Sequence, residues 1–222
     1  MSSIHKPLID RRMRRRLVSH HLVLALISGG LTAVLYALTP SPDPNLRLSM
    51  ATAYTGMLLL VATLFTGPLN VLRRRSNPVS TDLRRDIGVW AAIIGVLHVV
   101  VGLQVHMGDP WLYFFAERGK TVLRNEPFGY ANYTGLAATI ILVFLLALSN
   151  DYSLRKLRRT AWKNLQRLNY LLFILVVAHG FLYQAVENRE RHWIVTLAIM
   201  VGVCVLFQVA GFIARVRGQK PS

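Results

Sequence analysis

The chain has 222 residues, of which 53% are hydrophobic and 16% are charged, and its formal net charge at pH 7 is +16. Its mean hydropathy is positive, at +0.40. Soluble domains carry about 25% charged residues, so this composition excludes an ordinary soluble globular protein and indicates a membrane protein.

The apolar residues fall into six separate runs. They lie at residues 20–38, 50–69, 87–106, 133–149, 168–186 and 193–214. A helix rises about 1.5 Å per residue and a hydrocarbon core is about 30 Å thick, so runs of roughly 17 to 22 residues are long enough to span it. No run contains a charged residue away from its ends. The sequence therefore predicts an all-α membrane protein, a bundle of six transmembrane helices.

The connections between the runs are short, with one exception. Residues 39–48 contain three prolines and predict a short, stiff turn. Residues 107–132 form the long connection, which predicts either an aromatic anchor in the membrane interface or a re-entrant segment. Its aromatic residues are Trp111, Tyr113, Phe114 and Phe115. The single cysteine, Cys204, lies in the sixth run and is interpreted as inert packing.

The basic residues predict the orientation of the bundle. Twenty of the 26 Lys and Arg residues lie in segments 1–19, 70–86, 150–167 and 215–222, on one side of the predicted membrane. Because Lys and Arg near helix ends are retained on the cytoplasmic face, both termini are expected to be cytoplasmic. This gives a basic N-terminus at 1–19, a transmembrane domain at 20–214 and a cytoplasmic tail at 215–222. The basic runs flank spans, so we expect contact with anionic lipid and not with nucleic acid.

Two histidines lie inside predicted spans, where an ionisable group is costly and is a functional candidate by default. His98 is the twelfth residue of the third run and His179 is the twelfth of the fifth, and both runs have the same direction. Each therefore lies about 16 Å from the same membrane edge. Two imidazoles at one depth predict the axial ligands of a heme iron. The alternative is that each histidine is structural and bonds only to a neighbouring helix.

Small residues beside His98 would let a flat macrocycle approach its helix. Gly95 precedes it by three residues and Gly102 follows it by four, which places both on the same helix face. The candidate cofactor-binding residues are therefore His98, His179, Gly95 and Gly102, with the two histidines as the metal ligands. The sequence has no Cys-x-x-Cys-His motif, so the heme would be held by coordination and packing alone, as b-type heme.

The remaining histidines in or near the spans have simpler interpretations. His106 and His192 lie at the predicted outer rim, where solvated loop histidines are the expected state, although the two could form a second site. His20 and His21 lie at the inner mouth of the first helix, where side chains commonly reach the interface from the apolar region.

Two motifs carry a family resemblance. Residues 84–90 read RRDIGVW and are followed by His98, and residues 162–170 read WKNLQRLNY and are followed by His179. These segments resemble the two heme helices of the ferric-reductase-like transmembrane superfamily, most closely those of the heme-binding membrane subunit of bacterial methionine sulfoxide reductase systems. The resemblance covers about residues 50–190. It implies b-type heme between the third and fifth helices, electron transfer across the membrane, and a multi-pass location in the bacterial inner membrane.

One position departs from the family pattern. The second heme helix of the family commonly carries two histidines thirteen residues apart, and the inner position is occupied here by Gln166. A neutral amide is a poor ligand for heme iron, so we expect one heme per chain.

The expected function is that of a heme-bearing electron-transfer component of an oxidoreductase. Only eight residues follow Ala214, so the electron donor is expected to be a separate flavoprotein or quinol, with any flavin or quinone supplied by a partner. The acceptor on the outer side would be a redox protein or a small oxidant such as chelated ferric iron. The alternative is a membrane assembly factor or transporter without heme, in which both histidines are structural.

Overall fold

The computed structural model describes residues 16–73, 81–106, 108–157 and 159–218. Across these residues the regular structure is helical, apart from an isolated antiparallel bridge between Phe115 and Leu123. Six helices of the described chain are long and apolar enough to cross a membrane. The predicted all-α six-helix membrane fold is confirmed.

Eight α-helices and two short helical turns make up the regular structure of the described residues. In chain order they are a π-helical turn (Leu17–Leu22), α1 (Val23–Leu38), α2 (Pro44–Leu72), α3 (Thr81–Gly102), a 3-10 turn (Pro110–Tyr113), α4 (Pro127–Leu148), α5 (Asp151–Lys156), α6 (Arg159–Gln166), α7 (Leu168–Val186) and α8 (Arg191–Gly218). The π-helical turn and α1 together make the first membrane-crossing helix, and α6 leads into α7 to make the fifth.

α2 and α4 begin earlier than hydropathy predicts, and each begins at a proline, a residue favoured in the first turn of a helix. α2 starts at Pro44, where Asp43 accepts a hydrogen bond from the backbone N–H of Asn45 at 2.8 Å. The predicted stiff turn at 39–48 is therefore wrong in its second half, which is helical. α4 also starts at a proline, Pro127, several residues before the predicted 133.

α3 ends sooner than its apolar run. Its last helical residue is Gly102, not residue 106, and the chain then turns away. The hydroxyl of Tyr113 donates to the carbonyl of Gly102 at 2.9 Å, and the N–H of Val105 donates to the same carbonyl at 3.2 Å. These bonds satisfy a carbonyl that would otherwise be unpaired at the helix end.

α2 is the central helix of the bundle. It packs against α1, α3 and α8, and α4 packs against α7 and α3. The interface between α2 and α8 is apolar and includes Met57, Leu64, Met200 and Cys204. Cys204 is 1% exposed within it, which agrees with the packing role predicted for this residue. This arrangement brings α3 and α7 to opposite sides of one internal space.

The long connection between α3 and α4 lies at one end of the bundle, which we call the loop end; the opposite end, where Arg16 lies, is called the basic end. Trp111 stacks on Phe115 with ring centroids 4.2 Å apart, and its indole N–H lies 3.1 Å from the carbonyls of Glu117 and Lys120. Tyr113 is 2% exposed. Of the predicted interfacial aromatics, Tyr113 is therefore part of the protein interior, whereas Trp111 is partly exposed.

Candidate functional site

The two histidines that were predicted to share one depth face each other inside the bundle. His98 on α3 and His179 on α7 have ring centroids 6.2 Å apart, with an angle of 76° between the ring planes. Neither ring belongs to an exposed residue. The structure thus brings together the principal pair of the sequence analysis.

Each ring is held by a backbone carbonyl of a neighbouring helix. Nδ1 of His98 lies 3.0 Å from the carbonyl oxygen of Ser49 on α2, and Nδ1 of His179 lies 2.8 Å from that of Ala131 on α4. A carbonyl can only accept, so in both neutral rings Nδ1 carries the hydrogen and Nε2 carries the lone pair. Metal-ligating histidines are commonly oriented in this way by a second hydrogen bond.

The separation of the rings fits one metal ion between them. Imidazole nitrogens bind metals at about 2.0–2.1 Å, and the ring centre lies about 1.1 Å behind the nitrogen, so two opposed ligands would have centres about 6.2–6.4 Å apart. The observed 6.2 Å lies within this range. Across the described residues, no group of three or more His, Cys, Asp or Glu side chains is arranged to hold a metal. A heme iron needs only two ligands from the protein, and two imidazoles can supply them.

A cavity surrounds the histidine pair. Its volume is about 340 Å³, and α2, α3, α4 and α7 supply most of its wall. Gly95 and Gly102, the small residues predicted beside His98, both line it. Gly135 on α4 also lines it and lies directly against the ring of His179. The wall near the histidines is otherwise largely apolar, as a porphyrin plane requires, with Leu60, Leu142, Leu172 and Val176 among its residues.

His106 lies in the turn after α3 and lines the loop end of the same cavity. Its ring stacks on Tyr183 at 6.0 Å and meets the edge of Phe128 at 5.8 Å. Burial lowers the pKa of His106, and the charge of Arg189 lowers it further, although Glu187 at 3.3 Å opposes this. His106 is a loop residue, as expected, but its side chain is only 23% exposed and lines the cavity instead of lying fully in solvent.

His192 agrees with the sequence interpretation. Its side chain is 56% exposed and its Nδ1 lies 3.1 Å from a carboxylate oxygen of Glu190. His192 does not line the cavity.

A second cluster lies at the basic end, around Asp86 of α3. This carboxylate is 1% exposed, and its oxygens lie 2.5 Å from Nη2 of Arg16 and 2.8 Å from Nδ1 of His20. Nε2 of His21 lies 3.5 Å away, while its Nδ1 accepts from the indole of Trp90 at 3.3 Å. The hydrogen bond to Asp86 raises the pKa of Arg16. The cluster fastens the start of the first helix to α3.

The expectation for His20 and His21, at the inner mouth of the first helix, omitted a specific partner. Both imidazoles meet the buried carboxylate of Asp86, although their side chains remain 23% and 29% exposed. The π-helical turn Leu17–Leu22, which contains both residues, is the local distortion that puts consecutive histidines on the same partner.

Gln166 is the last residue of α6, at the position where the family motif would carry a second imidazole. Its side-chain oxygen lies 3.3 Å from the amide nitrogen of Asn169, and its own amide nitrogen is buried and has no hydrogen-bond partner among the described residues. A neutral side-chain amide is a poor ligand for heme iron.

Comparison with known proteins identifies the family. Residues 49–177 match the family described as ferric reductase like transmembrane component, which is more than half of the chain. The chain belongs to this family. The match includes His98 and ends two residues before His179.

Curated relatives match over most of their length. The protein-methionine-sulfoxide reductase heme-binding subunit MsrQ of Yersinia pseudotuberculosis serotype O:1b (strain IP 31758) is 25% identical over 187 residues, covering 84% of this chain and 81% of the relative. The protein of the same name from Yersinia pestis (strain Pestoides F) is also 25% identical over 187 residues, covering 84% and 80%. With its six apolar helices, this chain is a multi-pass protein of the bacterial inner membrane.

Sequence reasoning missed the groups that orient the histidines. The carbonyls of Ser49 and Ala131 carry no side-chain signal, so no motif could have identified them. Asp86 is part of the motif at 84–90. α3 begins at Thr81, before the predicted span, so Asp86 lies within this helix, where its side chain is buried. Arg189, one of the six Lys and Arg residues outside the predicted cytoplasmic segments, lines the cavity, which its position in a loop does not predict.

Proposed function

We propose that this protein is the heme-bearing electron-transfer subunit of a bacterial oxidoreductase, and that His98 and His179 hold the iron of one b-type heme. The observation that carries this proposal is the pair of opposed imidazoles, whose centroids are 6.2 Å apart and whose Nδ1 atoms both face a backbone carbonyl. The name of the similar Yersinia proteins, a heme-binding subunit, supports the same cofactor.

The residues around the pair prepare it for ligation. The carbonyls of Ser49 and Ala131 fix the tautomer and the ring orientation, so that little reorganisation is needed when Nε2 binds a metal. The largely apolar wall of the cavity would favour an apolar macrocycle over water in this space. A bis-imidazole heme, when bound, exchanges single electrons and leaves no open iron position for oxygen. Gly95 and Gly102 are proposed to give its plane room beside α3.

The proposed direction of electron flow is outward. We place the basic end in the cytoplasm, where a separate flavoprotein or quinol would donate electrons, and the loop end outside, where a redox protein or small oxidant would accept them. The excess of Lys and Arg at the basic end supports this orientation and would attract an acidic donor. Reporter fusions after Gly218 and within 116–121 test it: a periplasm-dependent reporter should be active only in the loop, and activity after Gly218 would reverse the orientation.

Optical spectra of the purified protein test the heme proposal. Wild-type protein should show a low-spin b-type spectrum with a sharp alpha band on reduction. His98→Ala and His179→Leu should each lose most of the heme or convert the remainder to high-spin, whereas His192→Ala, which changes an exposed ring, should keep the wild-type spectrum. Leucine keeps most of the packing volume and cannot ligate iron, so His179→Leu separates lost ligation from a lost fold.

Two outcomes would overturn the proposal. A folded wild-type protein that binds no heme would favour the alternative of an assembly factor or transporter with structural histidines. A folded His98→Ala protein with full low-spin heme would show that another residue is the axial ligand.

A further inference from the structure

The cavity around the histidine pair has one permanently charged side chain in its wall. Among the described lining residues, Arg189 is the only Arg, Lys, Asp or Glu. It lies beyond the end of α7 at Val186, which is about 10 Å along the helix from His179. The charge therefore stands at the loop end of an otherwise uncharged and mostly apolar space.

The backbone conformation after α7 directs Arg189 toward the cavity. Asn188 adopts φ 47°, in the left-handed region, and the N–H of Arg189 donates to the carbonyl of Gln184 at 3.2 Å. A left-handed residue after a helix end, commonly Gly or Asn, folds the chain back over the last turn. The side chain of Arg189 is consequently only 16% exposed, although it belongs to a loop.

The guanidinium has unused donors. Its nearest acidic partner is Glu187, at 3.7 Å, which is outside hydrogen-bond distance, and Glu187 also lies 3.3 Å from Nε2 of His106. Arg carries five N–H donors and no acceptor. None of them makes a side-chain hydrogen bond with the residues that the structure describes. Beside it, the buried side-chain oxygen of Gln184 also has no partner in the described chain.

This arrangement suits a ligand that is apolar over most of its area and acidic at one edge. A carboxylate in an apolar cavity is costly unless it is paired, and the planar fork of Arg binds carboxylates through two parallel hydrogen bonds. Heme b has this character, because both of its carboxylate side chains lie on one edge of the macrocycle.

We propose that Arg189 pairs with the carboxylate side chains of the heme and so fixes the macrocycle with its acidic edge toward the loop end. The proposal rests on the heme assignment above and adds the rotational position of the group in the cavity. Arg189 is thereby a cofactor-binding residue.

A comparison of two proteins, each loaded with two forms of heme, tests the pairing. Full-length wild-type and Arg189→Gln proteins, produced in heme-deficient cells, are loaded in detergent with either heme b or its dimethyl ester, which lacks the carboxylates. Heme loss to excess apomyoglobin is then measured. With heme b, Arg189→Gln should lose it about ten- to a hundred-fold faster, the range for one charge-assisted hydrogen-bonded pair. With the ester, the two proteins should lose it at similar rates.

The potential of the natural holoprotein provides an independent readout. Arg189→Gln removes a positive charge near the heme and should shift its midpoint potential to more negative values, whereas Arg189→Lys should restore most of the wild-type value. Arg191→Gln is the matched control, because Arg191 is exposed and does not line the cavity.

The outcomes separate the two proposals. Equal rates of heme b loss from Arg189→Gln and wild type, both with low-spin spectra, would overturn the pairing and leave the heme assignment intact. If Arg189→Gln loses the dimethyl ester faster than the wild type does, by the same factor as it loses heme b, Arg189 supports the fold and does not pair with the carboxylates. Absence of any low-spin complex in the wild type would overturn both proposals.

Discussion

Gly135 on α4 lies in direct contact with the ring of His179 on α7. A Cβ atom at position 135 would come within 2.7 Å of Nδ1 and 2.8 Å of Cε1 of His179. The same ring is hydrogen-bonded to the carbonyl of Ala131, one turn earlier on α4. The absence of a side chain at 135 is thus what allows α4 to orient the imidazole.

Gly135→Ala should displace His179 and weaken heme binding. The added methyl group cannot fit unless the ring moves, and movement breaks the bond to Ala131. Loss of such an orienting bond costs roughly ten-fold or more in metal affinity. The rate of heme loss and the low-spin fraction of the spectrum measure the effect.

The matched control for this substitution is Gly202→Ala on α8, where a new Cβ meets no atom within 4 Å. Both substitutions stabilise their helices through the same gain in intrinsic helix propensity, up to about 1 kcal/mol. Only Gly135→Ala adds a contact with His179, so only this variant should lose heme. Wild-type heme retention in Gly135→Ala would contradict the assigned contact.

Gln166 should hold no iron, and the protein should contain one heme per chain. Its amide nitrogen is buried without a partner among the described residues, and the imidazole of His20 at the same end of the bundle is bonded to Asp86. Gln166→Ala should therefore keep the wild-type heme content. Pyridine hemochrome analysis against protein concentration measures it. Two hemes per chain in the wild type, or a lower content in Gln166→Ala, would contradict this stoichiometry.

The spans and the histidine pair could be predicted because both depend on regularities within single helices. Length and hydropathy determine whether a helix crosses the membrane, and a rise of about 1.5 Å per residue converts position into depth. Depth alone does not show that two side chains face each other. That His98 and His179 do so depends on how α3 and α7 pack on α2 and α4, which the sequence does not reveal.

The remaining errors arise where local geometry redirects the chain. His20 and His21 reach Asp86 because a π-helical turn and the packing of the first helix on α3 bring them there. Arg189 enters the cavity because Asn188 is left-handed. Hydropathy contains no information on either feature, so charged residues at span ends were interpreted as facing lipid headgroups or water.

Asp86→Asn should destabilise the folded protein, because it removes the negative charge that Arg16 and His20 share. Loss of a buried hydrogen-bonding partner costs about 1–3 kcal/mol. For a chain of this size, each kcal/mol lowers the melting temperature by about 2–4 °C. Thermal unfolding in detergent measures the change.

Asp151→Asn is the control for Asp86→Asn. Asp151 also pairs with an arginine, Arg85, at 2.5 Å, but its side chain is 58% exposed. Exposed ion pairs contribute about 0–1 kcal/mol, so its melting temperature should stay near that of the wild type. Equal melting temperatures for the two variants would show that the Asp86 cluster does not fasten the first helix to α3.

The stability of the protein should fall as the pH drops below about 6.5, and His106 should account for part of this fall. Burial lowers the pKa of His106 in the folded state below its ordinary value of about 6.5. Between the two pKa values the unfolded chain binds a proton at this residue that the folded chain does not, so unfolding becomes more favourable as the pH decreases. Above pH 6.5 both states are neutral at His106, and the effect disappears.

His106→Gln should therefore reduce the loss of melting temperature between pH 7.5 and pH 5, with little change at pH 7.5 beyond the loss of packing. Glu187, 3.3 Å from Nε2 of His106, opposes the shift, and Arg189 and burial favour it. Glu187→Gln should consequently steepen the same pH dependence, because it removes the carboxylate that contributes most to stabilising a protonated ring. His192→Gln controls for the loss of an exposed imidazole. An unchanged slope in both His106→Gln and Glu187→Gln would show that His106 titrates alike in the folded and unfolded states.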